Sequence, residues 1–199
     1  MTILLLAGSP SIPSRSTRLL HHVGERLALL GHRTSKLHVL DLPAQALLGA
    51  DFNDSDIKAA QAQVARVDAV VIATPVYKAA YSGILKAFLD LLPQDALAGK
   101  LVLPLATGGS QSHMLALDYA LRPVLSSLAA KHVLPSIYAT DAQISWNAEK
   151  GLTIDPLIVK RIEEGVAHLA ASLLALQSVY ASSTTDFAPV PFAQVRCSV

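Results

Sequence analysis

The feature that most constrains this chain is an unbroken apolar run that recurs at intervals. Its clearest case is residues 68–74, DAVVIAT, where five apolar residues follow one another without a polar interruption. A strand with one face in water alternates polar and apolar positions, so a continuous run belongs to a strand covered on both faces. Similar runs stand at residues 2–7 (TILLLA), 100–106 (KLVLPLA) and 133–138 (VLPSIY), and residues 33–40 alternate. Between them lie segments with apolar residues at three- and four-residue spacing: 16–30, 54–66, 82–92, 111–131 and 155–180. That spacing predicts helices. Gly31 stops the first, and Pro156 suits the first turn of the last.

Strands and helices in strict alternation leave few arrangements. Parallel strands need crossovers, and the crossover helices cover both faces of the sheet. The expectation is an α/β protein with a flavodoxin-like, doubly wound, five-stranded parallel sheet of order 2-1-3-4-5. Residues 1–181 read as one domain, a usual size for a single core. Residues 182–199 carry Pro189 and Pro191 without a helical period, and read as a C-terminal tail that is disordered or lies across a neighbour.

Composition removes several classes of function. A net charge of +1 with 16% charged residues argues against nucleic-acid binding by bulk charge, and 52% hydrophobic residues argue against disorder. No stretch reaches the roughly 18 apolar residues of a membrane span. The short run at residues 3–7 lacks the basic flank of a signal peptide, so a cytoplasmic protein is expected. Cys197 is the one cysteine, and the seven histidines show neither HxxxH nor HExxH spacing. Neither a disulfide framework nor a metal site is expected.

In a sheet of this kind, ligands bind beyond the carboxyl ends of the strands. The segment after the first strand reads GSPSIPSRST. It fits neither GxGxxG nor GxxxxGK[ST]. It places Ser9, Ser11, Ser14, Ser16 and Thr17, with Arg15 and Arg18, at a helix N-terminus, where free N–H groups and the helix dipole favour an anion. One hydroxyl would suffice for a helix cap; five with an arginine point to a phosphate. After the third strand comes TPVYKAAYSG, where Pro75, Val76, Tyr77 and Lys78 put backbone groups at the sheet edge, suited to the rim of a flat heteroaromatic ring. Tyr81 either covers the core or borders that ligand. After the fourth strand, Thr107, Gly108 and Gly109 let backbone pass close to a planar group, although a plain turn uses Gly-Gly as well. Pro123 lies inside the helical segment 111–131 and cannot donate to Tyr119 four residues back, so a kink or a π-bulge is expected there.

Together these stretches, LAGSPSIPSRSTRLL, ATPVYKAAYSGILKAFLDLLP, LAGKLVLPLATGGS and LALDYALRPVLSSL, resemble the NADPH-dependent FMN reductase family, over residues 5–128. The resemblance implies FMN and NADPH as cofactors. It implies that Ser9, Ser14, Arg15 and Ser16 bind the FMN phosphate. Pro75, Val76, Tyr77 and Lys78 would border one edge of the isoalloxazine, and Thr107, Gly108 and Gly109 the other. It also implies a π-helix with Tyr119 and Pro123 at a subunit interface, in a homo-oligomer of dimers or tetramers. Relatives often carry an arginine where this chain has Ser11, so the charge is expected from Arg15, with Arg18 as a second source. The implied activity is NADPH-dependent reduction of FMN to FMNH₂, passed to a flavin-dependent (alkanesulfonate) monooxygenase. The cofactor carries the chemistry, so no catalytic side chain is expected. An FMN-retaining quinone or azo-dye reductase, a flavodoxin-like electron carrier and a phosphate-ligand sensor are the alternatives.

Overall fold

A computed structural model of the chain describes residues 1–149 and 151–182. Ser182 ends the last helix; the rest of the expected tail, Cys197 included, lies outside the described residues.

The run at 68–74 becomes the middle of β3 (Ala69–Tyr77), and its first six residues are buried. β3 lies between β1 (Thr2–Ala7) and β5 (Leu101–Gly108), parallel to both, with Ile3 opposite Ala69 and Ala69 opposite Leu101. β2 (Arg33–His38) pairs with the outer side of β1. A two-residue strand, β4 (Ala80–Tyr81), turns back antiparallel on the end of β3. The fifth position is shared by β6 (His132–Val133) and β7 (Ile137–Thr140), both parallel to β5. The path β2-β1-β3-β5-β6 is the flavodoxin-like order, with the fifth strand broken in two.

Pro104 accounts for the break. Leu134 donates its N–H to Val102 O at 2.8 Å. The next rung of a parallel ladder would run from the N–H of residue 104 back to Leu134, and proline has none. Pairing with β5 resumes at Leu105 opposite Ile137. A proline in a central strand is tolerated here because the neighbouring strand opens beside it.

Helices cover both faces. α1 (Arg15–Leu29) and α6 (Pro156–Ser182) bury Leu19, Leu20, Val23, Ile158, Ile162 and Leu169 against one face. α3 (Ser55–Ala65) and α4 (Gly83–Asp90) bury Ile57, Val64, Leu85 and Phe88 against the other, together with Leu117, Leu121 and Leu125. Short α2 (Ala44–Leu48) is an addition that its five residues could not announce by period.

Two segments depart from expectation. The single helix read over 111–131 is three pieces: a 3₁₀ turn at Gln111–His113, a π-helix at Leu117–Leu121, and α5 (Arg122–Ser127). Pro123 sits in the first turn of α5, and Tyr119 in the π segment. The π segment falls where Pro123 and Tyr119 predict a kink or a π-bulge, whereas the 3₁₀ turn does not show in the apolar spacing. The stretch before α6 holds an unexpected hairpin, β8 (Ile144–Asn147) with β9 (Gly151–Ile154). Among the described residues no helix is long and apolar enough to cross a membrane.

Candidate functional site

The carboxyl ends of β1, β3 and β5 open on a cleft of about 420 Å³. Its lining joins three of the segments singled out in the sequence. Ser9, Ser14 and Arg15 come from the first, Pro75, Val76 and Tyr77 from the second, and Thr107, Gly108 and Gly109 from the third. Two expected members do not line it. Ser16 is buried beneath the loop, its Oγ 3.0 Å from Ser14 Oγ. Lys78 stands on the turn beyond Tyr77, outside the cleft.

The first loop is ordered by its own hydroxyls. Ser14 caps α1, accepting from the N–H of Thr17 at 3.3 Å. Ser9 is buried, and its Oγ accepts from the N–H of Ser11 at 3.3 Å. The capping role and the anion role thus fall on one serine. Capping uses a single acceptor lone pair of Ser14, and its hydroxyl also shares a hydrogen bond with Ser16 Oγ in which either oxygen can donate. Arg15, the first residue of α1, is half exposed and faces Asp141, Nη1 to Oδ1 at 3.6 Å. Arg18, one turn on, lies over the Trp146 ring at 4.0 Å from the centroid.

The second loop is built by buried hydrogen bonds. Thr74 Oγ1 accepts from Ser82 N–H at 2.9 Å and donates to Pro75 O at 3.0 Å. Ser82 caps α4 by accepting from Leu85 N–H, and its hydroxyl donates to Gly8 O. Gly8 N–H in turn donates to Ala73 O at 2.8 Å. The ends of β1 and β3 are tied to each other through fully buried groups. Between Tyr77 and Ala80 the chain turns in two residues, Lys78 (φ 49°) and Ala79 (φ 63°). Positive φ at both central positions is the hairpin geometry that matches strand twist, and non-glycine residues adopt it against a steric cost. Tyr119 in the π segment donates its hydroxyl to Ala79 O and braces the turn. Tyr81 is partly buried against the core, and burial pushes its phenol up; it is absent from the lining of the cleft.

At the third loop the structure assigns a different reason to the first glycine. A Cβ on Gly108 would lie 2.4 Å from the Tyr138 hydroxyl, whereas one on Gly109 would meet nothing nearer than Asp141 Oδ2 at 3.9 Å. Gly108 is therefore required by the neighbouring strand, independently of any ligand. Tyr138 donates to Ser110 O at 2.6 Å, and burial, then the Asp141 carboxylate, raise its pKa.

Ser11, Pro13 and Arg18 of the first segment also line the cleft, and so do Asp141, Ser145 and Trp146; sequence reasoning missed the last three. They lie at the end of β7 and on β8, a four-residue strand too short to show a period. A second cleft of about 280 Å³ adjoins the first loop, where His21 and His38 face each other with Nε2 atoms 3.4 Å apart. Burial, with Lys36 and His38 nearby, lowers the pKa of His21. Among the described residues no group of three or more His, Cys, Asp or Glu could hold a metal.

The arrangement suits an elongated ligand with an anionic end at the α1 N-terminus and a flat end between the β3 and β5 termini. Comparison with known proteins assigns the chain to a family. The profile of the NADPH-dependent FMN reductases matches residues 1–144. An FMN reductase (NADPH) of Escherichia coli is 48% identical over 144 residues, 72% of this chain and 75% of that protein. One from Pseudomonas putida is 48% identical over 146 residues, covering 73% and 74%. Among solved structures, an NADH:FMN oxidoreductase (EMOB) in its apo form superposes with a TM-score of 0.78 at 38% identity, over 86% of this chain and 89% of that one.

Proposed function

The chain belongs to the NADPH-dependent FMN reductase family, oxidoreductases that work with FMN and NADPH, and from that premise we propose that it reduces FMN and releases FMNH₂ to a flavin-dependent monooxygenase. The observation that carries the assignment of the site is the lining of the cleft, hydroxyls and guanidinium groups at one end and backbone edges at the other.

In this reading Ser9, Ser14 and Arg15 hold the FMN phosphate with the free N–H groups of α1. Ser16 supports Ser14 from below. The segments Pro75–Val76–Tyr77 and Thr107–Gly108–Gly109 border the two edges of the ring system through their backbones. These residues would orient FMN, which when bound would supply the hydride-accepting chemistry toward NADPH. Tyr77, half exposed at the mouth, stands near the open flavin face, where the nicotinamide would stack. No side chain needs to transfer a proton in the rate-limiting chemistry, and none is named catalytic.

Residues 1–181 act as one domain in the cytoplasm. Met114, Leu115 and Tyr119 are exposed apolar residues around the π-helix, and this patch is the proposed contact of a dimer or tetramer. The alkanesulfonate monooxygenase as acceptor rests on the resemblance of the four stretches quoted above.

The test is a steady-state assay with NADPH and free FMN, followed by gel filtration of the loaded protein. NADPH consumption with FMN as acceptor, and loss of FMN on the column, are expected. No turnover overturns the enzyme reading, and tight co-purification of FMN favours the flavin-retaining quinone or azo reductase.

A further inference from the structure

We propose that Asp141 is an affinity-setting residue: its carboxylate competes with the FMN phosphate for Arg15 and keeps flavin exchangeable. The proposal rests on the functional reading above. Three observations carry it. The cleft is lined by two cations, Arg15 and Arg18, and, among the described residues, by one acid, Asp141. That acid is paired with Arg15, the guanidinium nearest the start of α1. And its backbone is held beside the third loop, where its N–H donates to Gly108 O at 2.9 Å, so its carboxylate is tethered within reach of the cleft.

A phosphate arriving at the α1 N-terminus therefore meets an arginine that already has a partner. Binding either shares Arg15 between the phosphate and Asp141 or breaks their pair, and it places a carboxylate close to a near-dianion. Both effects oppose binding: the first removes part of the gain from a charge-assisted contact, and the second is like-charge repulsion in a partly desolvated cleft. A pocket intended to hold flavin permanently would gain from a neutral residue here. An enzyme that hands flavin on gains from a built-in competitor, since a ligand bound more weakly at equal on-rate leaves faster.

The experiment compares FMN with riboflavin, which lacks the phosphate, by calorimetric titration of the full chain. Asp141→Asn keeps the side-chain shape and the backbone tie to Gly108 while removing the charge. It should tighten FMN by about tenfold and leave riboflavin unchanged. It should also retain FMN through gel filtration where the wild type sheds it. Asp141→Glu restores the carboxylate and should return FMN affinity toward the wild-type value. Equal shifts for FMN and riboflavin, or no shift for FMN, overturn the role of Asp141. A wild-type chain that binds no FMN in the same titration overturns instead the functional reading on which it stands.

Discussion

The two ends of the cleft are made of different materials. The end at β3 and β5 is held by buried hydrogen bonds that also tie β3 to β1, from Ser82 N–H to Thr74 and from the Ser82 hydroxyl to Gly8 O, and by a glycine whose missing side chain is filled by Tyr138. The end at α1 is held by half-exposed charges, Arg15 against Asp141 and Arg18 over Trp146. Buried polar groups without partners carry a large penalty, so the first end has one arrangement. Exposed ion pairs contribute little to stability, so the second end is free to exchange partners. Shape recognition and charge recognition are thereby separated in one site.

The separation can be broken from either side. The largest effect is expected from Arg15→Ala: removing a charge-assisted phosphate contact should raise the FMN Kd by about 10- to 100-fold, while the denaturation midpoint barely moves. A parallel loss of stability would mean that the charged end also holds the fold. Gly108→Ala tests the other end. Overpacking against Tyr138 should cost about 1–3 kcal/mol in urea unfolding, and riboflavin should be weakened along with FMN. Trp146→Ala sharpens the comparison more gently. It frees Arg18 from its ring, a contact worth about 0.5–1 kcal/mol at an exposed site, and should change FMN affinity by no more than a few fold with stability unaltered.

The smallest effect comes from pH. His21 and His22, on α1 behind the charged end, both have pKa values lowered by burial, and His22 Nε2 is buried without a hydrogen-bond partner. Their folded-state pKa lies below the unfolded value, so the unfolded chain binds more protons in acid. Stability should be full above about pH 6.5 and decline as pH falls through that value toward the folded pKa. His22→Gln should flatten part of the decline in denaturation midpoints measured across this range.

The first two-thirds of the chain was legible because its signals are long. DAVVIAT could only be a central strand, and the serines after β1 could only stand at a helix start. The three loops meet in one cleft as the strand order requires. What escaped was local or relational. The fifth strand broke at Leu134 because of Pro104, thirty residues earlier and one strand across. The role of Gly108 depended on Tyr138, which no spacing connects to it. Ser16 and Lys78 stand beside residues that line the cleft without lining it themselves, one buried and one on the turn beyond Tyr77. Asp141 follows β7 and Trp146 lies on β8, strands too short for their patterns to carry a period, although the two residues hold both arginines of the cleft.

Trp146 has one more consequence. It is the sole tryptophan among 199 residues, and it rests on Arg18 at the rim of the cleft. Light absorbed by indole in this protein is therefore absorbed at a single place, within the site itself. Its emission overlaps the absorption of flavin, so each arrival or departure of FMN should be visible as a dimming or recovery of one signal. The chain carries its own optical gauge of occupancy, fast enough to follow release in real time and requiring no label.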